Sequence, residues 1–232
     1  MERDTASSND YAYNHGGLIL IVNERFISYL QSLETEEIDY LSKIRQEALD
    51  SYVPIIRYDT QQYMKFLMQT IKPQKILEVG TAVGFSALLM EAYNPVDCHI
   101  TTIENYEPRI PIAKQNFADA GKSGVIDLIF GDAQEVLPTL TDTYDFIFMD
   151  AAKGQYPIFL PELKRLMHSG SVLVTDNILQ DGDIIESHFA IERRNRTIHK
   201  RMREYLYTLT HDEDMVCSII PVGDGLAMCT MK

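Results

Sequence analysis

The sequence predicts an α/β fold: a mostly parallel sheet with helices on both faces and an antiparallel hairpin at its C-terminal end. Three observations carry this. Five short β-rich runs between residues 75 and 176 are separated by segments of helical length and periodicity. Helix-patterned sequence precedes them. Two further strand-like runs flank Gly223-Asp224-Gly225, a tight-turn signal. Strand alternating with helix at this spacing builds βαβ units, whose sheet needs cover on both faces. The final hairpin brings the sheet to seven strands, one of them antiparallel at or near an edge.

Taken in order, residues 1–17 are polar, with Ser, Asn and Gly16-Gly17, and read as a disordered lead-in to a single domain over 18–232. From about Asn23 to Asp50 the apolar residues Phe26, Ile27, Leu30, Leu33, Ile38, Leu41, Ile44 and Ala48 keep helical spacing. Pro54, which has no amide proton to give, interrupts at "VPII". A further helix follows through Tyr63, Phe66, Leu67 and Ile71, so helices occupy about 23–72. The strand runs are "KILEV" (75–79), "CHITTIE" (98–104), "VIDLIF" (125–130), "YDFIFMD" (144–150) and "SVLVTD" (171–176). Helical periodicity fills Ser86 to Tyr93, Ile112 to Ala120 and Phe159 to Met167. "VCSIIPV" and "GLAMCTM" form the hairpin. The sequence has no internal repeat and no low-complexity tract.

Composition bounds the function. The 232 residues suit one domain, and a hydrophobic content of 45% gives it a full core. Cys98, Cys217 and Cys229 have no metal-binding or redox spacing and read as buried thiols in a reducing compartment. The N-terminus lacks a basic region followed by an apolar one, so no signal peptide is expected. Leu18 to Val22 is far too short to span a bilayer. The expectation is a soluble, cytoplasmic protein without membrane contact. A net charge of -13 argues against general adhesion to nucleic acid, so any RNA contact must be local.

In an open α/β sheet, ligands bind beyond the carboxyl ends of the strands. Each of the five predicted strands carries an acid there: Glu78, Glu104, Asp132 after Gly131, Asp150 and Asp176. Each alone has an ordinary explanation; Asp132 suits a helix cap. Five in succession on one rim call for cations or hydroxyl donors. The loop "EVGTAVGFS" has Gly80 and Gly84, which let the backbone approach a ligand, but Ala82 stands where a dinucleotide loop needs its middle glycine. S-adenosylmethionine has an amino-acid end, a ribose and an adenine, and no pyrophosphate. Glu78 is placed to hold its amino group indirectly, Glu104 to accept the ribose hydroxyls, and Asp132 with the Ala133 amide to meet the adenine.

Asp150, Asp176 and Asn177 offer three hard oxygen ligands at neighbouring strand ends, which suits Mg²⁺. A metal there lowers the pKa of an acceptor hydroxyl. Lys153, three residues after Asp150, is then a candidate general base, its neutral form favoured by nearby positive charge. The ordinary alternatives are capping aspartates, a turn asparagine and a surface lysine.

Six basic residues gather in "ERRNRTIHKRMRE" (Glu192 to Glu204), with no acid between Arg193 and Arg203. Ile191, Ile198, Met202, Tyr205 and Leu209 keep helical spacing, which predicts an amphipathic helix over 188–210 with its apolar stripe inward. Arg196, Lys200 and Arg203 share a face, and Arg193 joins them. Arginine forks suit phosphate, and an anticodon loop presents phosphates and unstacked bases. The competing reading is a solvated helix face.

The stretches "ILEVGTAVGFSALLM", "GDA", "MDAAKGQY" and "VTDN" resemble the metal-dependent O-methyltransferases of the catechol and caffeoyl-CoA type, a Rossmann-like methyltransferase family. The resemblance covers about residues 23 to 232. Within the family, "VTDNILQDG", "ERRNRTIHKRMREYLY" and "PVGDGLAM" look most like the bacterial tRNA 5-hydroxyuridine methyltransferases of the TrmR type, which form 5-methoxyuridine at the wobble position. The resemblance implies donor contacts at Ile56, Ser86, Glu104, Asp132, Ala133 and Asp150, and metal ligands at Asp150, Asp176 and Asn177. It implies Lys153 as base and a homodimer. Methylation of a small catechol-like phenol is the alternative. A nicotinamide dehydrogenase is disfavoured by the missing glycine, and a non-catalytic RNA-binding protein by the intact Asp150, Lys153, Asp176 and Asn177.

Overall fold

The computed structural model describes residues 24–33 and 37–232, so the expected disordered lead-in over 1–17 lies outside the described residues. Where one helical stretch was expected there are two helices, α1 (Glu24–Ser32) and α2 (Asp39–Asp50). The interruption at Pro54 is present, and α3 (Tyr58–Ile71) follows it. It stops where Lys72 turns left-handed (φ 55°) ahead of Pro73, which disfavours a helical predecessor.

Strand and helix then alternate: β1 (Lys75–Val79), α4 (Phe85–Tyr93), β2 (His99–Glu104), α5 (Ile110–Asp119), β3 (Ile126–Phe130), the single turn α6 (Ala133–Val136), β4 (Tyr144–Met149), α7 (Tyr156–Arg165) and β5 (Met167–Thr175). The chain ends with α8 (Arg196–Thr210), β6 (Met215–Ile220) and β7 (Leu226–Met231). The seven strands lie in the order β3-β2-β1-β4-β5-β7-β6. The first five are parallel, and β7 runs antiparallel to both β5 and β6.

Successive side chains of a strand point to opposite faces, and the two cores divide accordingly. Ile76, Ile100, Phe146, Phe148 and Val174 pack with residues of α2 to α5. Leu77, Val79, Ile147, Met149 and Leu173 pack with residues of α7 and α8. The strand order turns back between β1 and β4, which opens a crevice at their carboxyl ends.

Two expectations need correction. The helix predicted over 188–210 begins only at Arg196; Glu192 to Asn195 form a turn, with the Asn195 amide donating to the Glu192 carbonyl (2.8 Å). Ile191 is buried as the helical spacing required, yet it sits in the segment that precedes α8, and Ile198 is 37% exposed. His199 occupies the inward face in its place, with Met202, Tyr205 and Leu209. The second correction concerns the thiols. Cys217 and Cys229 stand directly opposite each other across β6 and β7 and are joined in a disulfide, while Cys98 is free. Nothing in their spacing marks that register.

Candidate active site

The parallel order brings the five rim acids to one edge of the sheet. Backbone bonds beyond the strand ends fix three of them: the Asp150 amide donates to Val79 O and the Asp176 amide to Met149 O, each at 3.0 Å, and Glu104 O accepts from the Gly131 amide at 3.0 Å. A cavity of about 710 Å³ opens beside them. Its wall includes Ile56, Gly80, Ser86, Glu104, Asp132, Ala133, Asp150 and Asn177, all anticipated from sequence. Glu78, Lys153 and Asp176 are absent from that wall.

Glu78 is fully buried behind it. Its Oε1 accepts from Ser86 Oγ, and its Oε2 accepts from Thr102 Oγ1 at 2.5 Å. Thr102 Oγ1 also lies 2.6 Å from Thr81 Oγ1. Glu78 therefore orients Ser86, and an influence on a ligand is indirect. Burial pushes its carboxyl up to about 7 from 4.5, against the opposing hydrogen bonds of Ser86 and Thr102. The folded chain thus holds a proton that the unfolded chain releases. The stabilisation is full below about 4.5 and is lost as pH rises through about 7. Glu78→Gln cannot ionise, so the stability difference between wild type and variant should change by up to about 3 kcal/mol across that window. Urea unfolding at a series of pH values, without metal, measures it; a constant difference contradicts the buried carboxyl.

The glycines serve the fold itself. A Cβ on Gly80 (φ +108°) would lie 2.1 Å from the carbonyl oxygen of Asp150, and one on Gly84 (φ +83°) 2.4 Å from the Phe117 ring. Both are needed so that the loop after β1 can pack beside β4 and α5, a packing constraint that the sequence reading did not include; Gly80 also lines the cavity. Ala82, at the position of a dinucleotide loop's middle glycine, is left-handed (φ 47°), and its amide donates to Glu104 Oε2 at 2.7 Å. Glu104 Oε1 accepts from the Asn105 and Tyr106 amides. Asp132 caps α6, its Oδ1 accepting from the Gln134 amide at 2.8 Å, and it lines the cavity as well. The ordinary and the functional readings of Asp132 thus coexist. Sequence reasoning missed Tyr106 and Arg109, which also line the cavity, with the guanidinium 5.1 Å from the Tyr106 ring centre.

Beyond the end of β4 the charge balance is strained. Asp176 is 1% exposed, and its Oδ2 has no hydrogen-bond partner. Its Oδ1 accepts only the adjacent Asn177 amide (2.6 Å). Burial raises the pKa of Asp176, and the charge of Asp150 raises it further; Asp150 is raised by burial, with Lys153 opposing. The buried Asp176, with its orphaned oxygen, and the half-buried Asp150 are a donor set that a divalent cation would satisfy. Asn177 lines the cavity with φ 57°, a left-handed conformation that asparagine tolerates. Among the described residues no three His, Cys, Asp or Glu side chains form a metal-binding group. The residues present fit Mg²⁺. Beneath them the Tyr156 hydroxyl donates to the Asp176 carbonyl at 3.1 Å, and Tyr205 and Thr175 hydroxyls meet at 2.7 Å.

Lys153 opens a tight turn, Lys153–Gln155, ahead of α7. Its Nζ lies 3.2 Å from Asp224 Oδ2. Asp224 was read only as part of a hairpin turn; it is 1% exposed. The basic segment adjoins this turn: Arg201 of α8 donates to Gly154 O at 2.9 Å. Arg196, Lys200 and Arg203 lie on α8 at the expected spacing, but Arg193 lies outside the helix. Arg196 donates to Ile191 O and Phe189 O, and Arg203 to Ile184 O and Glu186 O. These two hold the preceding segment in place. Local acids do pair with the run, Glu192 with Arg194 and Glu204 with Lys200.

Residues 31–232 match the family model described as O-methyltransferase. The chain belongs to that O-methyltransferase family. A catechol O-methyltransferase of Niastella koreensis is 28% identical over 167 residues, covering 69% of this chain and 75% of the relative. Caffeoyl-CoA O-methyltransferase 1 of Arabidopsis thaliana is 30% identical over 182 residues, covering 74% of this chain and 69% of the relative. A Podospora anserina methyltransferase solved with SAH bound shares the family fold, with a TM-score of 0.80 at 23% identity over 90% of this chain and 94% of that one. Among the described residues of this methyltransferase, no helix is long and apolar enough to cross a membrane.

Proposed function

We propose that the chain methylates the 5-hydroxyl of 5-hydroxyuridine at the tRNA wobble position, using S-adenosylmethionine and Mg²⁺, to give 5-methoxyuridine. The observation that carries the chemistry is the buried Asp176, with its orphaned Oδ2, next to Asp150 of the cavity wall. The donor supplies a methyl group on a sulfonium. Glu104 is placed for its ribose, Asp132 and the Ala133 amide for its adenine, and Ser86, oriented by Glu78, for its amino-acid end. Ile56 adds an apolar wall. Mg²⁺, held by Asp150, Asp176 and Asn177, would bind the acceptor hydroxyl and lower its pKa. Lys153 takes the hydroxyl proton at Nζ. The bound donor would supply its methyl carbon to that oxygen and leave as a neutral thioether. Alignment of oxygen, carbon and sulfur by these walls supplies much of the rate.

The acceptor assignment rests on α8. Its Arg201 is bonded to the turn that carries Lys153, so the basic run borders the reacting centre. Arg193 and Lys200 are exposed on that run. A phosphate chain threaded past the site would meet them. A second reading, methylation of a small catechol-like phenol, is favoured by the engagement of Arg196 and Arg203 with backbone carbonyls. The test is methyl transfer from labelled donor to tRNA bearing 5-hydroxyuridine and, in parallel, to catechol. Transfer to catechol alone would exclude the tRNA assignment.

A further inference from the structure

We infer that Asp224 is a positioning residue for Lys153: it fixes the place of the amine that takes the acceptor's proton. This rests on Lys153 as the base of the proposed reaction. The two residues stand 71 positions apart and meet at 3.2 Å across the mouth of the hairpin. Asp224 has one place to be. Its neighbours Gly223 (φ +62°) and Gly225 (φ +83°) are wedged so tightly that a Cβ would lie 2.4 Å from Thr60 Oγ1 and 2.2 Å from Leu179 Cγ. The Gly223 amide donates to Asp59 Oδ2 at 2.7 Å, which ties the turn to the start of α3.

The second oxygen of Asp224 is engaged as well. Oδ1 accepts from the Asp181 amide at 2.5 Å, and Asp181 Oδ1 accepts from Arg57 Nη2 at 2.5 Å. Arg57 belongs to the cavity wall. The carboxylate of Asp224 therefore joins Lys153, the segment after Asn177, and the cavity wall in one connected series. Asp181 and Gln180 are left-handed (each φ 53°), and this anchor holds that conformation in place. Asp224 has only 1% of its side chain exposed; Lys153 Nζ lies within reach of its Oδ2, and the Arg57 charge acts on it as well. The arrangement follows the logic of a base whose orientation is set by a third group.

The alternative is that Asp224 merely pins the hairpin through Asp181. Two measurements separate the two roles. The first is competitive acetylation of the full-length protein, read lysine by lysine by mass spectrometry, in wild type and Asp224→Asn. An amine held in an ion pair acylates slowly, so freeing Lys153 should raise its labelling roughly fivefold. Lys122, paired with Glu91, and Lys164, paired with Asp212, report on folding and should not change. The second is a double-mutant cycle. Asp224→Asn should lower kcat about tenfold when Lys153 is present and cause no further loss in Lys153→Met. Asp224→Ser, which keeps an acceptor for the Asp181 amide, is the second variant if the asparagine protein does not fold. Unchanged labelling of Lys153, or an equal loss in both backgrounds, would overturn the inference. A wild-type chain inactive on tRNA and on catechol, with the labelling change intact, would refute the acceptor assignment and leave the contact supported.

Discussion

Asp176→Asn should lower methyl transfer by about a thousandfold, equivalent to about 4 kcal/mol of barrier. The substitution is nearly isosteric and keeps an oxygen for the Asn177 amide. What it removes is a carboxyl that ionises only at a cost in the metal-free chain: burial and the charge of Asp150 raise its pKa, and Oδ2 has no partner. The same change should therefore leave the thermal stability of the chelated protein unchanged or higher, because the cost of burying an ionisable carboxyl is gone. Loss of activity with undiminished stability is the signature of a ligand. Initial rates at saturating donor, with thermal melts in chelator, measure both. A variant within tenfold of wild type, or one that melts well below it, contradicts the ligand role.

The second large effect is on acceptor choice. Reversing Arg193 and Lys200 to glutamate should weaken tRNA binding roughly a hundredfold at low salt and lower its salt slope by about 2. Methylation of catechol should stay within about twofold of wild type, because a small phenol has no phosphates to reach these charges. Arg196 and Arg203 are left intact because they hold the segment from Ile184 to Ile191 through its carbonyls, so changing them would alter shape as well as charge. Filter binding over a salt series, with rates on both acceptors, decides between the readings. An equal loss on tRNA and catechol would return the basic run to the status of a solvated helix face.

Sequence patterns reached far because this fold repeats short-range rules. Each strand of the parallel sheet is a local run rich in apolar residues, and each carries an acid at or just past its carboxyl end, so strand direction places it. Glu104, Asp132 and Asp150 could therefore be placed on one rim before any coordinates. The misses are long-range. Asp224 reads as a turn residue, since Lys153, Asp181 and Arg57 reach it only through folding. The pairing of Cys217 with Cys229 depends on hairpin register. The start of α8 was misplaced because Ile191 is buried by packing while carrying a helical period. The packing of Gly80 and Gly84 was likewise hidden: the atoms nearest a Cβ there are Asp150 O and the Phe117 ring.

The most direct measurement is methyl transfer to tRNA bearing 5-hydroxyuridine by chelator-stripped enzyme, before and after Mg²⁺ is returned. Buried and unpartnered, Asp176 Oδ2 implies negligible turnover in the stripped enzyme and recovery on adding the metal. Full turnover with the chelator present would show that Asp150, Asp176 and Asn177 hold no catalytic cation.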